Sequence, residues 1–206
     1  MKKSQKIIQI LLGLLIIFLA FQVYKSIMSP VKFNKEMRYR QSKIIQRMKD
    51  FRDIEFLYKS KNRKYIADFD TLLSFIKNDS IPVIKMVPDP NDTTFTKTIR
   101  DTIGKINVYD SIFGKRENFN VDLIFYIPFS ERYYKNGLKF DIKAGTIERS
   151  KISIPVFEIK AHDSTYLSDL DKQLMLNNIE TKKQMDKYPG VKVGSLTEAS
   201  TDGNWE

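Results

Sequence analysis

The stretch KIIQILLGLLIIFLAFQVYKSIMSP, residues 6–30, decides how the rest of the chain is read. From Ile7 to Val23 it carries no charge, and Gln9 and Gln22 are its only strongly polar residues. With Tyr24 through Met28 it reaches about 22 residues, enough for a helix to cross about 30 Å of hydrocarbon once Lys25 extends its ammonium to the interface. In lipid the backbone has to satisfy its own hydrogen bonds, so helix is the expected conformation. Met1, Lys2, Lys3 and Lys6 form a basic start of the kind a cleaved secretion signal also has. Against cleavage, no small-x-small site follows: Gln22, Tyr24 and Lys25 stand where small residues are needed. No cysteine follows to accept a lipid. The expectation is a retained anchor over residues 7–28 behind a basic N-terminus, 1–6.

Orientation draws two opposed signals. The short basic N-terminus favours keeping that end in the cytoplasm, whereas Lys25, Lys32, Lys35, Arg38 and Arg40 on the far flank favour the reverse. The regular signal-like start tips the reading toward a periplasmic bulk and a bacterial inner-membrane location.

The chain has 206 residues and a formal net charge of +10. That charge suggests nucleic acid until it is divided along the chain. Residues 1–28 hold +4, residues 29–64 hold +8, and everything from Tyr65 onward holds −2. A nucleic-acid domain carries its positive face on the folded part, so nucleic acid is not an expected partner. Membrane lipid is, with Lys32, Lys35, Arg38 and Arg40 as the candidate surface residues near anionic headgroups. The sequence has no cysteine, which excludes a disulfide framework and thiolate metal sites.

Beyond Pro30, expected to end or kink the first helix, apolar residues recur every seventh position: Met37, Ile44, Phe51, Tyr58, Tyr65 and Leu72, with Met48 and Ile54 beside them. The second row that a coiled coil needs reads Arg40, Arg47 and Ile54, so the seam is half-made. Residues 31–76 are expected as an amphipathic helical stalk, broken near 60–68. Its straight part would span about 39 Å and hold the distal domain off the bilayer. Met37, Ile44, Met48 and Phe51 are the candidate partner contacts, either for another envelope protein or for self-association through the stalk, unless the chain's own domain covers them. Asp68 or Asp70 is expected to cap a second helix that buries Phe69, Leu72, Leu73, Phe75 and Ile76.

Residues 80–206 are expected to form an α+β domain, with one antiparallel or mixed sheet and flanking helices. IPVIKMV (81–87) reads as a strand, and the threonine-rich TTFTKTIRDTIGKINV after it as a strand or ribbon. VDLIFYIPF (121–129) reads as a central strand. LKFDIKAGTIER alternates Phe140, Ile142 and Ala144 against Lys139, Asp141 and Lys143, with a turn at Gly145. SKISIPVFEIKA (150–161) alternates again, and Pro155 suits an edge or bulge. A small helix ending at Tyr188-Pro189-Gly190, a strand over 191–196 and Trp205 as a closing plug complete the reading.

No chemistry-bearing constellation stands out. The sole histidine, His162, adjoins Asp163 and Ser164, but sequence adjacency does not make a triad, and one histidine without cysteine does not suffice for a catalytic zinc site. Asp163, Asp169 and Asp171 lie close in sequence with no second feature beside them. Asp89 to Asp92 with Thr93 and Thr94 lacks the spacing of a calcium hand and reads as a turn. The glycines form no phosphate cradle. The expectation is a non-enzymatic chain with no cofactor or metal.

YKSKNRKYIADFDTLLSFIKNDSIPV (58–83), IPVFEIKA (154–161) and KYPGVKVGSLTEASTDGNWE (187–206) resemble uncharacterised single-pass envelope proteins of the Bacteroidota, which implies a bacterial inner-membrane home and no particular activity. Tyr58, Asn62, Arg63 and Tyr65 also resemble the stretch that leads into the sheet of type IV pilins and type II secretion pseudopilins. The prepilin processing glycine, with a glutamate five residues on, has no counterpart in MKKSQKIIQILLGLL. The anchor, the rod with its half-made stripe and a folded domain without catalytic clustering lead to the expectation of a scaffold or accessory subunit of an envelope complex. The second resemblance implies a pseudopilin-like assembly subunit, and a ligand-sensing periplasmic domain is a third expectation.

Overall fold

A computed structural model describes residues 2–88, 98–117 and 119–206, with side chains described for 5–87, 98–117 and 119–206. The Asp89–Asp92 turn, Thr93, Thr94 and Phe95 lie outside the described residues. One helix, α1 (Lys2–Asn62), fills the first third of the chain, with Pro30 inside it. Contrary to the expected end or kink at Pro30, the helix runs on. Pro30 removes one backbone donor, so the helix gives up a single bond, at the Ser26 carbonyl, between two stretches that keep theirs.

After α1 come α2 (Phe69–Asn78), β1 (Ser80–Pro88), β2 (Thr98–Asn107) and α3 (Val108–Phe113). Then follow β3 (Asp141–Arg149), β4 (Ile152–His162), α4 (Asp163–Leu167), α5 (Lys172–Gln184) and β5 (Gly190–Gly194). The class is α+β, but the strands form two antiparallel sheets rather than one. These are a ribbon of β1 and β2 and a three-stranded sheet in the order β3-β4-β5. The break expected near 60–68 is present: α1 stops at Asn62, Arg63 takes a positive φ of 62°, and Asp68 caps α2 by accepting the Thr71 N–H at 2.8 Å.

The stalk reading needs correction. From Phe33 onward α1 is the central element of the folded domain, not a rod that holds it away. Ile44, Met48, Phe51 and Ile54 are fully buried, together with Leu72, Phe113, Ile124, Phe157, Ile159 and Val193. Phe51 is the hub, with edge-on contacts to Phe125 at 5.4 Å, Phe140 at 6.2 Å and Phe69 at 6.4 Å. The seven-residue stripe is thus the side of α1 covered by its own sheet and loops. Burying each of these large side chains contributes about 1.5–3 kcal/mol, which leaves no reason for the stripe to seek a second copy.

VDLIFYIPF, expected as a central strand, is a 3₁₀ turn (Val121–Leu123) followed by irregular chain. Val121, Ile124, Phe125 and Ile127 are buried, so the apolar run is core as expected but is not a strand. Asn120 accounts for the difference: its Oδ1 accepts the Asp122 N–H at 2.9 Å and winds the backbone into a turn.

In β3 the expected alternation holds, with Phe140 and Ile142 buried and Lys139, Asp141 and Lys143 exposed. The turn does not fall at Gly145, which stays in the strand opposite Val156. Ser150 and Lys151 make it instead, both with positive φ, at 51° and 66°. Pro155 pairs with Thr146 in a continuous register, so there is no bulge. However, β5 covers only Glu158–His162, so β4 is an edge where Pro155 lies. Gly190 is required where β5 meets β4, because a Cβ there would come within 2.2 Å of the Ala161 carbonyl oxygen.

Candidate functional site: the junction of the apolar half of α1 with the domain

α1 changes character at about residue 28. Below it, Ile10, Leu14, Ile17 and Phe21 are all more than half exposed, and the helix is long and apolar enough to cross a membrane. Above it, Phe33 is buried against the domain. A cavity of about 660 Å³ opens at this junction. One wall is a single face of α1, stepping by three and four residues through Phe21, Lys25, Met28, Ser29, Lys32 and Glu36. The opposite wall is Leu170 and Asp171, where the chain turns into α5.

Of the four candidate membrane-surface residues, Lys32, Lys35 and Arg38 are exposed. Arg40 is not. It is 1% exposed, and its guanidinium is consumed inside the protein. Nη2 donates to Asp169 Oδ2 at 2.9 Å, Nε donates to Glu36 Oε1 at 2.9 Å, and Nη1 donates to the Tyr166 carbonyl at 2.6 Å. The Arg40 hydrogen bonds hold the Asp169 carboxyl below its usual range. Phe129, itself at a positive φ of 68°, lies with its ring centroid 5.3 Å from Arg40 and 5.2 Å from Arg132. Planar, fully donating arginine suits such a site, and the arrangement pins the Asp169 turn to α1. Arg47, the next residue of the same row, donates to the carbonyls of Leu123 and Tyr126 at 2.8 and 2.7 Å. The half-made seam is therefore a row of arginines that fasten loops to the helix.

The partner-contact candidates fare alike. Met37 is half-buried against the core, and Ile44, Met48 and Phe51 are wholly inside it. None offers a free face.

His162 caps α4, with Nδ1 accepting the Ser164 N–H at 3.2 Å, which places the proton of the neutral ring on Nε2. Burial lowers its pKa. The three nearby aspartates serve three separate tasks. Asp163, fully buried, accepts the Tyr166 hydroxyl, the Asn178 amide at 2.8 Å and the Lys182 ammonium at 2.5 Å. Asp169 holds Arg40. Asp171 caps α5 through the Leu174 N–H at 3.1 Å. Among the described residues no group of three or more His, Cys, Asp or Glu gathers around one point.

A second feature stands away from the cavity. The β1–β2 ribbon is exposed along nearly its whole length, and it carries Ile84, Met86, Ile99 and Ile103 into solvent, with Met86 62% and Ile103 61% exposed. Its register slips between Val83 and Ile84, where Ile103 is left without an opposite residue.

The roles of Asp169, Leu170 and Asp171 are not legible in the sequence, since they depend on a turn that folds back more than 120 residues to α1. The only local signal is the Asp171 cap directly ahead of a helical pattern. Comparison with known families, with curated proteins and with solved structures yields no match.

Proposed function

We propose that this chain is a non-catalytic, membrane-tethered subunit of a bacterial envelope assembly, with the apolar part of α1 as tether and the β1–β2 ribbon as the surface offered to other envelope proteins. The observation that carries this reading is the division of α1. Its first half is apolar and uncovered, while its second half is the spine of a folded domain. The ribbon adds exposed apolar side chains on both of its faces, Ile84 and Met86 on one and Val87 with Ile99 on the other, which remain uncovered among the described residues and are of the kind that marks an interaction site.

The tether is tested by alkaline carbonate extraction of cell membranes. The full chain is expected in the pellet, and a Leu14→Arg, Ile17→Arg double variant in the extract, because each arginine costs about 2.5–3.5 kcal/mol at a helix centre in lipid. A wild-type chain released by carbonate would end the reading. The ribbon is tested by a photo-crosslinking amino acid placed at Met86, with Lys143 on β3 as control. Adducts to a second protein are expected from the first position only.

A pseudopilin-like role is a second reading. It is favoured by α1 passing unbroken from an apolar half into a spine beside a three-stranded antiparallel sheet. It predicts ladders of more than two subunits when cysteines at Gly13 and Ile17 are oxidised in membranes. A monomer band alone under those conditions favours the accessory-subunit reading.

A further inference from the structure

We infer that the cavity between α1 and the Leu170–Asp171 turn is a binding site for one amine-bearing phospholipid, of the phosphatidylethanolamine class. The inference rests on the reading of residues 7–28 as a segment in lipid. Its basis is the order of chemical groups along one helix face. Phe21 and Tyr24 form the aromatic end, Lys25, Met28, Ser29 and Lys32 a middle that carries both ammonium groups and a hydroxyl, and Glu36 with Asp171, beside Phe33 and Leu170, the acidic far end. A phospholipid leaving the hydrocarbon presents the same order: acyl chains, phosphodiester, then amine. Lys32 and Glu36 are four residues apart, a rise of about 6 Å along the axis, which matches the reach from phosphate to amine in such a headgroup.

Charge selects among headgroups. Two ammonium groups and two carboxylates line the cavity, so it is neutral overall and complements a zwitterion rather than an anion. The acids retain capacity for an amine. Glu36 receives Arg40 on Oε1 and Asp171 receives the Leu174 N–H on Oδ1, while Oε2 and Oδ2 carry no hydrogen bond among the described residues. A primary ammonium donates three hydrogen bonds and can use both oxygens, whereas a quaternary choline donates none. Of the neighbouring basic residues, Arg40 has its counter-charge in Asp169, which receives both Nη1 and Nη2, and Arg38 lies on another face. Arg132 approaches Glu36 on Oε1, at 3.9 Å.

The test uses the full chain, extracted in mild detergent, delipidated, and offered phosphatidylethanolamine, phosphatidylcholine or phosphatidylglycerol with matched acyl chains. Bound lipid is counted by native mass spectrometry. One phosphatidylethanolamine per chain is expected, retained about tenfold better than phosphatidylcholine, the factor associated with losing one charge-assisted hydrogen bond. Asp171→Asn, which keeps the helix cap, and Lys32→Gln should each lower that retention about tenfold, while Arg38→Gln on another face should not. Soluble glycerophosphoethanolamine should not be retained. Equal retention of phosphatidylethanolamine and phosphatidylcholine overturns the proposal. So does a preference for phosphatidylglycerol, equal loss in Arg38→Gln, or equal retention of the soluble headgroup. A chain that stays in the carbonate-resistant pellet yet shows no lipid preference sinks the site and leaves the tether standing. A chain released by carbonate sinks both.

Discussion

Glu55 lies wholly inside the core, with Oε2 accepting the Ile66 N–H at 3.3 Å and Oε1 without a partner among the described residues. Burial, only partly offset by that one hydrogen bond, pushes its carboxyl from an ordinary 4.5 up to about 8. The folded chain therefore binds this proton more tightly than the unfolded chain. Stability is greatest below pH 4.5 as far as this group is concerned, and it is eroded as pH rises from 4.5 toward 8. Each tenfold difference in proton affinity corresponds to about 1.4 kcal/mol, so the loss is on the order of several kcal/mol. Glu55→Gln should flatten that slope and raise the melting temperature at pH 8, measured by thermal unfolding of the full chain in mild detergent across pH 5–8. An unchanged slope would show that Glu55 is not the group responsible. Arg40 makes the opposite case, a buried charge with every partner in place. Arg40→Ala should cost about 3 kcal/mol in urea unfolding, because it strands Asp169 and removes the packing beneath Phe129. Neither role is visible in the sequence. Glu55 and Arg40 both look like ordinary polar residues on a helix, and what distinguishes them is which loop folds over them.

The elements show where sequence patterns carry structure and where they do not. The alternation in β3 and the Asp68 cap of α2 are legible because both signals are local, with period two in one case and a side chain three residues from its donor in the other. The apolar run at 121–129 misleads because a short buried run looks the same whether it extends or turns, and the Asn120 side chain decides. The hairpin turn misleads for a related reason. Glycine at 145 suggests the turn, yet Ser150 and Lys151 make it in left-handed conformations that neither residue favours. Lys151→Gly should relieve that strain and stabilise the chain by about 1 kcal/mol, read from a shifted urea midpoint at unchanged slope. Phe51→Ala, at the hub of α1, should cost about 3–5 kcal/mol. By contrast, Ile84→Ser and Met86→Ser on the ribbon should change stability by less than about 0.5 kcal/mol while lowering any crosslinking yield at that surface. A large loss of stability in those two variants would mean that the ribbon is part of the core.

At the scale of the whole molecule, the heptad-spaced stripe determines the architecture without naming it. Spacing alone leaves open whether an apolar face meets a twin helix, a foreign protein or its own chain. Here α2, α3, the 121–127 turn, the β3-β4-β5 sheet, α4 and α5 join that face, from Phe33 to Tyr58, in one core. The same α1 then continues outward through Pro30 into its uncovered apolar half. Because no loop separates the two, the joint between the apolar half and the domain is a backbone hydrogen-bonded cylinder instead of a length of slack chain. A pull on the domain would reach the apolar half as torque and tilt, as through the handle of a lever, and the two would have little freedom to swivel about each other.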